Sequence, residues 1–100
     1  MESIKVLTVD NLASACDVLT KLVDVLGFDA EGVTEKAGFL SGCRQFDPDL
    51  LLFGSNIREG QLKTYADLAE LEKQGLPKVC IGGDKKMLKA MGLSNDGALF

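Results

Sequence analysis

The chain has no histidine and no tryptophan, a single tyrosine and only two prolines in 100 residues. The missing imidazole excludes Ser-His-Asp and Cys-His nucleophilic sites, histidine phosphotransfer and histidine-ligated metals within these residues. Any hydrolase here would have to work with carboxylates or lysine alone. Cysteine is sparse and odd in number. Cys16, Cys43 and Cys80 are far apart in apolar surroundings, without metal-ligand spacing, and read as reduced thiols serving as small core residues.

Positive charge is also short. Eleven Lys and Arg stand against fifteen Asp and Glu, a net charge of −4, and no basic stripe suited to nucleic acid is present. The densest basic spot, Lys85-Lys86 with Lys89, reads as the solvated start of a helix. No apolar stretch approaches the length of a membrane span, and the opening MESIKVL has no signal-peptide pattern. The expectation is a cytoplasmic protein with neither nucleic acid nor membrane as partner.

The segment that organises the chain is Phe46–Asn56, FDPDLLLFGSN. Four large apolar residues, Leu50 to Phe53, are bounded by Asp-Pro-Asp and Gly-Ser-Asn, the pattern of a strand buried on both faces of a parallel sheet. Ile4–Val9 predicts the first strand, and Leu12, Cys16, Leu19, Val23 and Leu26 the buried stripe of a helix ending at Gly27. Asp10 or Asn11 is placed to cap that helix. Phe28–Val33 follows as an edge strand. A helix from Thr34 to about Arg44 buries Ala37, Leu40 and Cys43, and another from about Gln61 to Lys73 buries Leu62, Ala66 and Ala69, with Leu68 and Leu71 beside them. Lys78–Ile81 is a strand closed by Gly82-Gly83-Asp84, Lys85–Met91 a short helix, and Gly97–Phe100 a fifth strand.

This alternation predicts a single α/β domain over residues 1–100. It is a flavodoxin-like, doubly wound parallel sheet of five strands in the order 2-1-3-4-5, with the last helix missing. In such sheets ligands sit beyond the carboxyl ends of the strands, at the point where the order reverses. That crevice would be lined by Asp10, Asn11, Gly54, Ser55 and Asn56, with Gly82 and Gly83 alongside.

The segments IKVLTVDN, VLTKLVDVLGFDAEGV, FDPDLLLFGSN and LPKVCIGGD, in this order and spacing, resemble the receiver domain of two-component response regulators. The resemblance implies a signalling module of a phosphorelay. In receivers two acidic residues after the first strand hold Mg²⁺, and an aspartate after the third strand is phosphorylated. A hydroxyl after the fourth strand and a lysine after the fifth read the phosphoryl group. Metal is needed because an anionic carboxylate attacks an anionic donor.

Carried over by position, Asp10 matches the first acidic residue, but Asn11 replaces its partner. Gly54 stands at the phosphoacceptor position, Gly82 stands at the hydroxyl position, and the lysine position falls past Phe100. Asn56 matches the position whose backbone carbonyl touches the metal. Asp10 by itself would hold Mg²⁺ only weakly. The expectation is a degenerate receiver with no catalytic residue, no phosphoacceptor and no cofactor beyond weak Mg²⁺, acting through protein–protein contact.

A second resemblance, to cobalamin-binding domains, rests on Asp10, on Ser55 with Ile57, and on Gly82-Gly83. Leu12 stands where the cobalt-ligating histidine belongs and Ala15 where a glycine belongs, which excludes histidine-ligated cobalamin. A small cobalamin-like or nucleotide-like ligand near Ser55 and Gly82-Gly83 is the alternative function. Ser55 otherwise reads as a turn former, and Gly82-Gly83 as a tight turn.

Receivers end in a helix packed beside the first one. Without it, a strip of apolar surface on the order of hundreds of Å² would lie open. The strip and the abrupt end at Ala98-Leu99-Phe100 point to a truncated chain, or to contact with a partner protein or a second copy.

Overall fold

Parallel strands twisted beside one another need their crossovers on the faces of the sheet, and each crossover here is a helix. The computed structural model describes residues 3–81, apart from the side chain of Glu59. The elements are β1 (Lys5–Val9), α1 (Ala13–Val25), β2 (Asp29–Val33), α2 (Lys36–Gln45), β3 (Leu50–Phe53), α3 (Glu59–Glu72) and β4 (Lys78–Cys80). The expected turn Gly82-Gly83-Asp84, helix Lys85–Met91 and strand Gly97–Phe100 lie outside the described residues. The four described strands form one parallel sheet in the order β2-β1-β3-β4, as the alternation predicts, with the reversal between β1 and β3.

Residues of the two central strands alternate between faces. Leu7, Val9, Leu51 and Phe53 point toward α2 and α3, where they join Phe39, Cys43, Leu62, Tyr65, Ala69 and Leu76 in the larger core. Val6 and Leu52 point to the opposite face and meet Val23 of α1, with Phe28 and Val79 packed against them. An aromatic cluster anchors the larger core. The Phe39 and Tyr65 rings lie 4.7 Å apart, and Phe53 is 6.4 Å from Phe39 and 6.3 Å from Tyr65. Such pairs contribute about 0.5–1.5 kcal/mol each beyond the area they bury.

Helix ends follow local chemistry. Gly27 adopts φ +98° after α1, with Gly27 N–H donating to Asp24 O and Phe28 N–H to Val23 O, a Schellman stop. At the start of α2 the cap position is Glu35, one residue beyond the expected Thr34, and no side chain caps it. The buried side of α2 is Phe39, Gly42 and Cys43, whereas Ala37 is exposed and Leu40 only half-buried. Gly42 explains the rotation: a Cβ there would come within 3.0 Å of Leu7 Cδ1, so its bare backbone marks the line of closest approach to the sheet. On α3, Tyr65 is buried and Leu71, expected inward, is 83% exposed. The outer flank of α1 carries Leu12, Val18, Leu22, Val25 and Leu26, all exposed, so only Cys16 and Val23 of its expected stripe are buried.

Two ion pairs fasten the far end of α3. Arg44 of α2 donates to Glu72 Oε1 through Nε at 2.9 Å and Nη2 at 2.8 Å. Lys78, whose side chain is 8% exposed, donates to Glu70 Oε1 at 2.5 Å and to Leu76 O at 2.8 Å. The hydrogen bonds from Lys78 and from Gly75 N–H hold the Glu70 carboxyl below its ordinary value of 4.5. A depressed carboxylate contributes stability above its unfolded pKa and loses it as pH falls through the folded one. Glu70→Gln is therefore expected to lower the denaturation midpoint at neutral pH, and its gap from the parent should close as pH falls below 4.5. Urea unfolding across pH checks this, and a gap that persists at acid pH would contradict it.

Candidate functional site

The carboxyl ends of β1 and β3 are drawn together by the sheet itself. Gly54 N–H donates to Val9 O at 2.8 Å and Asp10 N–H to Val33 O at 3.1 Å, so Asp10 and Gly54 emerge side by side at the reversal point. Asp10 is only 1% exposed. Its Oδ1 accepts the Leu12 N–H at 2.9 Å, an Asx turn that leads the chain into α1. Its Oδ2 accepts Asn56 Nδ2 at 3.2 Å. No Lys or Arg among the described residues pairs with it.

Gly54 leaves room for this arrangement. A Cβ built on Gly54 would overlap Asp10 Oδ2 and approach the Asp10 Cγ to 2.8 Å and its Cβ to 3.0 Å. The carboxylate thus fills the space that any side chain at position 54 would need. Asn11 turns the other way. Its Nδ2 donates to the Asn56 carbonyl at 3.2 Å and to Gln61 Oε1 at 2.6 Å, and Gln61 Oε1 also accepts the Arg58 N–H at 3.3 Å.

The structure therefore brings Asp10, Asn11, Gly54 and Asn56 into one hydrogen-bonded crevice. Ser55 is an exposed turn residue beside it, with no side-chain hydrogen bond among the described residues. Gly82 and Gly83 lie outside the described residues. Leu12 is exposed at the entry to α1, and Ile57 packs against the larger core. The sequence reading missed the side chains of Asn56 and Gln61. Gln61 carries a detectable signal, a glutamine three residues after a helix cap. Only half of that reciprocal pattern forms, since the arginine side chain at the cap has no acceptor.

Chemically the crevice is thin. No group of three or more His, Cys, Asp or Glu side chains suited to a metal occurs among the described residues. The Asn56 carbonyl, the one backbone oxygen expected to touch Mg²⁺, is held by the Asn11 amide. Cys16, Cys43 and Cys80 are all buried and free. Burial pushes the Cys43 and Cys80 thiols up, with Glu72 adding to the effect at Cys43, so neither is poised as a thiolate.

No protein-family model matches the chain, and no curated protein sequence does. Solved structures do match. The chain resembles chemotaxis protein CheY4 of Vibrio cholerae with a TM-score of 0.77 and 17% identity, over 93% of this chain and 83% of that one. A CheY-like response regulator receiver domain from Methylobacillus flagellatus gives 0.71 and 20% over 93% and 82%. The N-terminal domain of a response regulator receiver protein from Methanoculleus marisnigri gives 0.69 and 14% over 88% and 76%. The fold is that of a CheY-like receiver domain. No helix among the described residues is long and apolar enough to cross a membrane.

The contact between Gly54 and Asp10 has a direct consequence. Gly54→Ala forces the carboxylate out of its two hydrogen bonds, and overpacking of this kind costs about 1–3 kcal/mol. Chemical denaturation should show a loss in that range. An unchanged midpoint would mean that Asp10 is free to turn away.

Proposed function

We propose that this protein is a receiver-like signalling module of a two-component system that is not phosphorylated and acts by binding another protein. The observation that carries this reading is the Asp10 carboxylate occupying the side-chain space of Gly54. In the receiver resemblance position 54 is the phosphoacceptor, and here it offers no nucleophile. The negative charge needed for Mg²⁺ is halved by Asn11, and the amides of Asn11 and Asn56 satisfy the oxygens that a metal would take. A crevice closed by its own hydrogen bonds supports a non-catalytic role in one fixed conformation, with no resident cofactor and at most weak Mg²⁺ at Asp10. We place the protein in the cytoplasm.

The contact surface we assign is the outer flank of α1 with the adjoining sheet face. Val18, Leu22, Val25 and Leu26 are exposed there, beside a small apolar groove lined by Val6, Phe28, Leu52 and Val79. Scattered single apolar residues are ordinary on a surface, whereas four on one helix flank, continuous with a groove, suit a protein partner or a second copy.

Incubation with acetyl phosphate and Mg²⁺, followed by intact-mass measurement, tests the non-phosphorylated reading. The expected spectrum shows the unmodified chain alone. An adduct of one phosphoryl group, stable in acid or not, would overturn the proposal.

A further inference from the structure

Apart from the crevice and the apolar groove beside α1, the described residues form another concavity, between the start of α2 and the start of α3. It is a cleft of about 390 Å³ lined by Lys36, Arg58, Gly60, Gln61, Thr64 and Tyr65, within the range of about 300–1,000 Å³ found for small-molecule pockets. Its walls are mostly apolar, with polar groups at a few points.

Two of those polar groups are cations. Lys36 and Arg58 both face the cleft, and neither has an acidic partner among the described residues, although the protein carries a net charge of −4. Lys36 and Arg58 thus bring two cations to one cleft of an acidic chain. Lys36 and Gly60 also belong to the first turns of α2 and α3, where backbone N–H groups lack partners within the helix. A Cβ on Gly60 would meet nothing within 4 Å, so that turn is open.

The deciding residue is Tyr65. It is 96% buried (4% exposed) in the aromatic cluster yet lines the cleft, and its hydroxyl has no hydrogen-bond partner among the described residues. Among the described residues no fully buried side-chain oxygen is left unpaired. Burial, with the nearby charge of Glu35, pushes the phenol above its ordinary value and keeps it a donor at neutral pH. Thr64 spends its proton on Gly60 O at 3.0 Å and presents an acceptor instead. Glu35 acts on the Tyr65 side of the cleft, which Lys36 and Arg58 also line.

We infer that this cleft binds a small organic phosphate monoester, its phosphate held by Lys36, Arg58 and the Tyr65 hydroxyl and its organic body against the apolar walls. Arginine offers a fork that matches two phosphate oxygens, lysine a point charge, and tyrosine a neutral donor for the remaining oxygen. A bare anion would leave the apolar walls unused. Gln61 joins the cleft to the crevice, because its Oε1 accepts from Asn11.

The test is an amide NMR titration of the ¹⁵N-labelled chain with phenyl phosphate, with inorganic phosphate and with chloride at matched ionic strength. The expected result is saturable shifts at Lys36, Gly60, Gln61, Thr64 and Tyr65 with phenyl phosphate, tighter than with inorganic phosphate. Lys36→Gln and Arg58→Gln, both at exposed positions, should each weaken binding about tenfold. Tyr65→Phe, which keeps the ring packing, should weaken it less, and Lys63→Gln on the same helix should leave it unchanged. The inference is overturned by the absence of saturation below about 10 mM, a range that reaches past the weakest useful affinity. It is equally overturned if the two probes bind alike, if Lys63→Gln weakens binding as much as Arg58→Gln, or if the shifts gather at Asp10 and Asn56 instead.

Discussion

A buried carboxylate with no side chain opposite it governs this end of the molecule. Asp10 leaves β1 at the point where the sheet order reverses, and Gly54 leaves β3 next to it. Only a glycine at 54 lets the Asp10 oxygens sit where they do, and only donors from Leu12 and Asn56 make that burial tolerable. An ionised carboxylate withdrawn from water without such donors would be strongly destabilising. The turn into α1, the loop after β3 and the start of α3 are thereby joined through one set of hydrogen bonds, running from Leu12 through Asp10 and Asn56 to Asn11 and Gln61.

The rest of the sheet makes this crevice rigid. Phe53 precedes Gly54, packs tilted against Phe39 and stacks with Tyr65, so the end of β3 is fixed by the largest side chains of the core. On the other face, Thr8 and Thr20 share a hydrogen bond of 2.6 Å while Thr20 also donates to Cys16 O. Gly32 allows that approach, since a Cβ there would meet Thr20 Oγ1 at 2.6 Å and Cys16 Sγ at 2.8 Å. Glycines 32, 42 and 54 play one role at three places: each admits a neighbour's atoms into the volume a side chain would take.

That role explains which features were legible in the sequence. The LLLF run, the β-branched first strand and the turn residues between them specify the parallel sheet and its order, because a strand buried on both faces leaves an unambiguous apolar signature. The juxtaposition of Asp10, Asn11, Gly54 and Asn56 followed from that order. The packing faces of the helices were less readable. A stripe of apolar letters led to Ala37 and Leu40 on α2, whereas the true line of contact runs through Phe39 and Gly42, where the deciding feature is a missing side chain. Leu71 falls beside the buried stripe by spacing, yet it is exposed on the folded helix. The direction of the Asn11 and Asn56 amides was not readable at all, since it depends on side-chain rotation around a carbonyl that only the folded loop presents.

The central claim is that amides from Asn11 and Asn56 and the filled space over Gly54 leave no opening for phosphoryl chemistry or for more than weak metal binding. The most direct test is an amide NMR titration with Mg²⁺ followed by beryllofluoride, a mimic of the phosphoryl group. The account predicts that Asp10, Asn11, Gly54, Ser55 and Asn56 keep their positions in the spectrum through millimolar Mg²⁺ and after beryllofluoride. Saturable shifts at Asp10 and Asn56 with Mg²⁺, deepened by beryllofluoride, would show a working metal site and contradict it.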